Sequence, residues 1–145
     1  MELTVRKMLL EDAHYINLLS HQLGYPVAVE QTEELIGEVL STSGHVAYVA
    51  VYNGEVVAWI HAAKAIGLET KPFIEIRGLV VNEKLRKKGI GEKLVNRIRE
   101  WCIEKDIHDL RVRSNIKRKE SHPFYLALGF SETKQQKVYQ LKVCH

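Results

Sequence analysis

Residues 79–91 combine three features that restrict what this chain can fold into and bind. The apolar run Leu79-Val80-Val81 predicts the end of a buried strand, and a basic turn with Arg86, Lys87 and Lys88 follows it. Gly89 and Gly91 then open a long amphipathic segment. Glycines let the backbone approach an anion closely, while the free N–H groups and the dipole of a helix N-terminus favour negative charge. The segment therefore predicts an anion site built from a strand, a turn and a helix.

Two familiar phosphate-binding loops do not fit this segment. A Walker loop ends in Gly-Lys-Ser/Thr, whereas Gly91 is followed by Glu92 and Lys93. A dinucleotide-binding fingerprint needs a third glycine where Leu94 stands. The predicted anion site is therefore neither an ATP loop nor a Rossmann turn.

Charge is distributed unevenly along the chain. Residues 84–119 hold 13 Lys and Arg against 5 Asp and Glu, whereas residues 1–83 hold 5 against 11. This basic segment favours a phosphate-bearing partner, either a nucleotide-like cofactor or nucleic acid. It lacks the interleaved aromatic residues of a base-stacking surface and spans several predicted elements, so we expect no nucleic-acid partner. Uncharged stretches such as residues 56–63 are too short to span a membrane, and we expect no membrane partner.

Hydrophobic periodicity predicts an α/β (α+β) fold in a single domain spanning residues 1–145. We expect a mixed, mostly antiparallel central sheet of six to seven strands flanked by about four helices. Asp12 is predicted to cap the first helix, and Asn53-Gly54 predicts a tight hairpin. The predicted strands cover residues 3–6, 45–52, 55–63, 72–81, 110–113, 130–133 and 138–143.

The strand at residues 72–81 carries two charged residues. Simple alternation places its odd-numbered positions on one face, so Glu75 and Arg77 point together, on the same face as Leu79 and Val81. An ion pair between Glu75 and Arg77 is one expectation. Gly78 within the strand predicts a bulge or a close backbone approach.

Two motifs resemble those of the GNAT (Gcn5-related N-acetyltransferase) superfamily. Arg86-x-x-Gly89-x-Gly91, between a strand and an amphipathic helix, is similar to the loop with which that family binds the pyrophosphate of acetyl-CoA. Downstream, Asn115…Arg118…Ser121-His122-x-Phe124-Tyr125-x-x-x-Gly129-Phe130 is similar to the family's Asn…Phe-Tyr…Gly-Phe block. The order of predicted elements also fits from Leu3 to Val143, so the resemblance covers almost the whole chain.

The resemblance implies an acetyl-CoA-dependent N-acetyltransferase that moves the acetyl group directly to an amine in a ternary complex. A small-molecule amine is expected as the acceptor, because no long peptide groove is apparent. The acidic surplus of residues 1–83 is compatible with a cationic amine. The alternative is a non-catalytic acyl-CoA-binding regulatory module. By resemblance, acetyl-CoA contacts Leu79, Val80, Val81, Arg86, Lys87, Lys88, Gly89, Ile90, Gly91, Glu92, Asn115 and Tyr125.

The resemblance also implies two catalytic residues. Tyr125 matches the tyrosine that lies near the coenzyme sulfur in the family, where a phenol can protonate the leaving thiolate. Glu75 lies on the strand where several members carry a catalytic glutamate, and it is the candidate base. The competing interpretation is the ion pair with Arg77. A water chain or His61 are the other candidate bases.

Further expectations concern metals, location and assembly. The histidines show no metal-ligand spacing, so we expect no metal site, and Cys102 lies on an apolar helix stripe and is predicted to be core. Two cysteines form no disulfide framework and the N-terminus has no apolar leader, so we expect a cytoplasmic protein. Dimers are frequent in the family, which makes a homodimer compatible with the sequence. The family commonly has glycine where Lys87 stands, a departure expected to be harmless at an exposed position.

Overall fold

The computed structural model describes residues 2–24, 26–114 and 121–144. The chain divides into two compact units, Met1–Arg113 and Ser114–His145. In the first unit the strands are β1 (Leu3–Lys7), β2 (His45–Tyr52), β3 (Glu55–Ala65), β4 (Phe73–Val81) and β5 (Leu110–Val112), and the α-helices are α1 (Ala13–Gln22), α2 (Val29–Ser41) and α3 (Ile90–Glu104). Short 3-10 turns occupy Leu10–Asp12 and Glu83–Leu85. The second unit contains α4 (Ser121–Ala127).

The five strands form one mixed sheet in the order β1-β2-β3-β4-β5. The first four strands are antiparallel neighbours, and β5 runs parallel to β4. Helix α3 supplies the crossover that two parallel neighbours require. The predicted fold class is confirmed, with five strands in place of the predicted six to seven.

The two strands predicted at residues 130–133 and 138–143 are not formed. The structure assigns no strand to residues 130–144, and Val138, Tyr139, Leu141 and Val143 are exposed. Alternating apolar residues suit a strand, but a strand exists only when its backbone groups pair with a neighbour. In the described part of the chain, the sheet ends at β5. The polar connection between the predicted strands, residues 134–137, also lacks the Asn-Gly signal of a tight hairpin.

The helices of the first unit cover opposite faces of the sheet. Ala47 and Val49 on β2 pack with Ile16 of α1 and Ile36 of α2. On the other face, the guanidinium of Arg97 in α3 lies 4.6 Å from the ring centroid of Tyr48. Alternate residues of β2 thus separate the α1/α2 face from the α3 face.

Of the predicted Asn53-Gly54 hairpin and the predicted helix cap at Asp12, the structure shows the hairpin but not the cap. Asn53 (φ 53°) and Gly54 (φ 78°) both adopt positive φ between β2 and β3, which confirms the tight hairpin. Asp12 does precede α1, but its side chain makes no cap bond. Its carboxylate instead accepts hydrogen bonds from the Leu9 N–H at 2.8 Å and from the guanidinium of Arg6 at 2.8 and 2.9 Å. Burial acts to raise the pKa of Asp12, and these bonds outweigh it, so the pKa lies below its ordinary value.

Candidate active site

Strand β4 contains a bulge at Arg77. His61 on β3 pairs with Gly78, whereas the next residue, Ala62, pairs with Ile76. Arg77 is therefore an extra residue without a cross-strand partner in this ladder, which defines a β-bulge. The irregularity predicted from Gly78 is confirmed, one residue before the glycine itself.

The bulge reverses the alternation of β4. Glu75 lies opposite Ala63, which shares the α1/α2 face with the odd-numbered residues of β2. Beyond the bulge, Leu79 lies opposite Ile60 and therefore on the α3 face. The prediction that Glu75 shares a face with Leu79 and Val81 is wrong, because one inserted residue moves every later side chain to the opposite side.

The same inversion turns the backbone amides of β4. Before the bulge, the N–H of Ile74 points towards β5 and bonds to the carbonyl of Asp109 at 2.9 Å. After it, the N–H of Asn82 points towards β3 and bonds to the carbonyl of Val57 at 2.8 Å. Since amide direction alternates along a strand, the N–H groups of Leu79 and Val81 point away from β3.

On that side of β4, β5 extends only part of the way. The paired residues of β4 are Ile74, Glu75 and Ile76, so the ladder with β5 stops before the bulge. The amides of Leu79 and Val81 therefore lie on the part of β4 that has passed the last β5 pair. They present two donors to an extended ligand that runs alongside β4.

The strand leads directly into the predicted anion site. Asn82 Oδ1 accepts a hydrogen bond from the Lys84 N–H at 3.1 Å and shapes the turn. Gly89 caps α3 in the left-handed conformation (φ 80°), and the bond from the Lys93 N–H to its carbonyl closes the first helical turn at 3.1 Å. The N–H groups before Lys93, from Gly89 to Glu92, have no partner within the helix. They belong to the segment from which the sequence predicts anion binding.

Lys87 adopts a left-handed backbone conformation with φ 64°. Its position is exposed, as anticipated, but exposure does not make the departure from glycine harmless. A residue with a Cβ costs about 1–2 kcal/mol in this conformation, whereas glycine enters it freely. The departure from glycine therefore has a cost in the backbone that the exposure of the side chain does not remove, and its harmlessness for coenzyme binding stays a prediction.

Glu75 is buried and ion-paired twice. Its Oε1 lies 3.1 Å from Nη1 of Arg77, and its Oε2 lies 3.0 Å from Nε of Arg113. The first contact is the predicted ion pair. Arg113, just after β5, was not predicted as part of the site; the crossover predicts that β5 is parallel to β4, but the register that brings Arg113 close to Glu75 is seen only in the structure. A cavity of about 130 Å³ is lined by Glu75, Ile76, Arg77 and Arg113.

His61 is poorly suited to act as the base. Burial, then the neighbouring His45 and Arg77, lowers the pKa of His61 to about 4. Its Nε2 lies 2.9 Å from Nδ1 of His45, within hydrogen-bonding distance, and the two rings stack. A group with so low a pKa takes a proton from an ammonium only weakly.

Tyr125 lies in the second unit, on α4. Its ring makes edge contacts with Phe124 at 5.1 Å and Phe130 at 5.6 Å between centroids. These contacts hold the ring of Tyr125 against its two aromatic neighbours. Asn115, the other predicted coenzyme contact of this unit, lies outside the described residues.

Cys102 and possible metal ligands complete the inventory. Cys102 is buried on α3, and burial raises the pKa of its thiol, as expected of a core residue and not of a nucleophile. Over residues 2–24, 26–114 and 121–144, no group of three His, Cys, Asp or Glu side chains could hold a metal ion. In the same residues, no helix has the length and hydropathy of a membrane span.

A mixed sheet whose fourth strand turns two amides away from its neighbour β3, just before a glycine-opened helix, offers a strand edge and an anion site to one extended, phosphate-bearing ligand. The comparisons give the family. The model of the Acetyltransferase (GNAT) family matches residues 8–130, so the chain belongs to that family.

Individual relatives agree with this assignment. The chain is 27% identical over 108 residues to an aminoglycoside N(6')-acetyltransferase type 1 of Serratia marcescens, covering 71% of this chain and 74% of the relative. It is 33% identical over 85 residues to an aminoalkylphosphonate N-acetyltransferase of Salmonella typhimurium, covering 58% and 55%. The solved structure of an aminoglycoside N-acetyltransferase in complex with CoA superposes with a TM-score of 0.86 at 20% identity, covering 99% of this chain and 96% of that one. The chain is an acetyl-CoA-dependent N-acetyltransferase, and a non-catalytic module is not favoured.

Proposed function

We propose that this enzyme transfers the acetyl group of acetyl-CoA directly to a small-molecule amine, with both substrates bound together. The observation that carries the proposal is the bulge at Arg77, which directs the amides of Leu79 and Val81 away from β3. Two amides spaced along the part of β4 that lies beyond its last pair with β5 suit the amide-bearing arm of the coenzyme. The glycine-opened start of α3 follows at the end of the same strand.

The proposed coenzyme site runs from β4 into α3. The arm pairs with the backbone of residues 79–81, and the diphosphate binds the N–H groups of residues 89–92. Arg86, Lys87 and Lys88 add positive charge around the diphosphate. Asn115 and Tyr125 complete the proposed contacts, on the strength of the family motif.

The chemistry divides among three groups. An outward β4 amide polarises the thioester carbonyl, which carries negative charge as the amine attacks. A carbon–nitrogen bond forms, the carbon–sulfur bond breaks, and Tyr125 donates a proton to the departing thiolate. The amine proton passes to Glu75, directly or through a water. Direct uptake requires one of the guanidinium contacts of Glu75 to open, since both oxygens are engaged.

The comparisons support a small-molecule acceptor. The relatives' names specify an aminoglycoside in one case and an aminoalkylphosphonate in another. Both are small amines, and neither is a protein. The cavity beside Glu75, about 130 Å³, is also of a size for part of a small molecule.

Thiol release with a panel of small amines, run beside calorimetry with acetyl-CoA, tests the proposal. We expect binding of acetyl-CoA in the absence of an acceptor and amine-dependent release of free CoA. Binding without release for any amine would identify a regulatory module. The absence of binding would contradict the coenzyme site itself.

A further inference from the structure

We infer that the cavity beside Glu75 binds an acidic group of the acceptor, so that the acceptor is an amine carrying a phosphonate, phosphate or carboxylate a few bonds from its nitrogen. This inference rests on the proposed function and names its acceptor class. It starts from the cavity lined by Glu75, Ile76, Arg77 and Arg113. Nothing in the transfer of an acetyl group by itself calls for two arginines there.

The groups that line the cavity carry a net positive charge. Two guanidinium groups face one carboxylate, which leaves an excess of one positive charge among the groups that line it. The side chain of Glu75 is 9% exposed, whereas those of Arg77 and Arg113 are 55% and 72% exposed. The buried carboxylate therefore holds two cations at a surface that an anion can reach.

The N–H donors of Arg77 and Arg113 have a geometry that suits an anion. A guanidinium carries five N–H donors in a rigid plane and cannot lose its charge in a protein. The contacts with Glu75 use Nη1 of Arg77 and Nε of Arg113, one nitrogen from each group. Planar forks suit paired bonds to the oxygens of phosphonate, phosphate or carboxylate. Glu75 thus acts here as a positioning residue for the two arginines.

The charges of the cavity also restrict the charges of the acceptor as a whole. An amine is an ammonium before it reacts, and Glu75 supplies the negative partner for it. A molecule with an ammonium and an acidic group close together matches a carboxylate flanked by two arginines. A polycation does not, because its additional ammonium groups would face Arg77 and Arg113.

The acidic surplus of residues 1–83 is compatible with a cationic acceptor only if those acids lie at the acceptor site. Four of those acids, Glu30, Glu33, Glu34 and Glu38, are exposed on α2. They are placed as a solvated helix surface and none lines this cavity. These four acids therefore do not argue for a cationic acceptor at this cavity.

Matched acceptors test the inference. Thiol release would be measured with 2-aminoethylphosphonate, ethanolamine and 1,3-diaminopropane, which present an anionic, a neutral and a cationic group next to a similar amine. We expect kcat/KM to be highest for the phosphonate, by about tenfold to a hundredfold over ethanolamine, as charged hydrogen bonds of this kind contribute. With acetyl-CoA saturating, so that the proposed diphosphate site is occupied, inorganic phosphate should still compete with the acceptor.

Variants connect the preference to the arginines. Arg77→Gln and Arg113→Gln should each lower the ratio of kcat/KM for 2-aminoethylphosphonate over ethanolamine by about tenfold or more, mainly through KM. Arg111→Gln is the matched control, because Arg111 also lies near Glu75 but pairs with Asp109 and stacks on Phe73. Its ratio should equal that of the wild type.

Different results would contradict the acidic acceptor and the acetyltransferase activity. Turnover that favours 1,3-diaminopropane, or a ratio that Arg77→Gln and Arg113→Gln leave unchanged, overturns the acidic-acceptor inference while the acetyltransferase stands. The absence of CoA release with every amine, beside normal acetyl-CoA binding, overturns the proposed function and the inference with it. Inhibition by phosphate that disappears completely at saturating acetyl-CoA would assign the anion to the coenzyme site alone and also overturn the inference.

Discussion

The indole ring of Trp59 occupies the space where a side chain on Gly78 would stand. A Cβ atom placed on Gly78 would lie 2.7 Å from Cη2 and 2.8 Å from Cζ3 of Trp59. Gly78 directly follows the bulge at Arg77, and Trp59 packs against the core formed with α1 and α2. The absence of a side chain at this position thus lets the hydrophobic core reach up to the distorted part of β4.

Gly78→Ala should lower the free energy of unfolding by about 1–3 kcal/mol, because the new methyl group has to displace the partly buried ring of Trp59. Chemical denaturation measures the loss, and tryptophan emission should shift as Trp59 moves. Gly67→Ala is the control, since its Cβ would meet only Thr70 Cγ2 at an ordinary 3.6 Å. Equal effects of the two substitutions would show that close packing at Gly78 is not the constraint.

Lys87→Gly should raise the free energy of unfolding by about 0.5–1 kcal/mol. Removing the left-handed strain at Lys87 contributes more than the extra chain entropy of glycine costs. Lys88→Gly is the control, because it removes the same charge from the next residue, which does not have a positive φ. This substitution should destabilise the protein slightly. If both variants were destabilised equally, the backbone strain assigned to Lys87 would be absent.

Acid should destabilise the protein partly through His61. The pKa of His61 is about 4 in the folded chain, below the ordinary value of 6.5 that it has in the unfolded chain, so the unfolded chain binds more protons between these values. The free energy of unfolding therefore rises with pH through this window, and the contribution is complete above about pH 6.5 and lost towards pH 4. Because His61 is only half-buried, we expect about 1–2 kcal/mol.

Thermal unfolding of the wild type and of His61→Gln at a series of pH values tests this assignment. The melting temperature of the wild type should fall more steeply from about pH 7 to about pH 5 than that of the variant. His14→Gln, an exposed position on α1, should follow the wild-type curve. Parallel curves for wild type and His61→Gln would remove His61 as a source of acid sensitivity.

Tyr125→Phe should lower kcat by about a hundredfold or more, because the thiolate would leave without a proton donor. The affinity for acetyl-CoA should change little, since the ring and its contacts with Phe124 and Phe130 remain. Steady-state thiol release and calorimetry measure the two effects separately. Tyr139→Phe, at an exposed residue, is the matched control, and a wild-type kcat in Tyr125→Phe would end the proposed acid role.

Much of the fold follows from local patterns in the sequence. The Asn53-Gly54 hairpin and the apolar stripe of α3 were both predictable, because each depends on residues close together in the chain. The residues 130–143 show where such patterns fail. Their alternation suits strands, but whether a strand forms depends on a partner that no local pattern specifies.

The candidate site was predictable in composition and less so in geometry. Gly78 indicated a distortion of β4, yet alternation could not show that one extra residue separates the face of Glu75 from that of Leu79. Arg113 reaches Glu75 only through the pairing of β4 with β5. The φ of Lys87 is likewise set by the turn as a whole. Each of these features arises from contacts between segments or from a backbone angle, which residue types alone do not determine.

The central claim is that main-chain N–H groups at the start of α3 bind the diphosphate of acetyl-CoA. A calorimetric titration of acetyl-CoA into the wild type and into Gly91→Val tests it most directly, because a branched side chain at this buried glycine obstructs the approach of the phosphates. We predict that the variant binds at least about a hundredfold more weakly, the effect of losing one or two charged hydrogen bonds. An unchanged Kd, in a variant that unfolds at the wild-type temperature, would contradict the account.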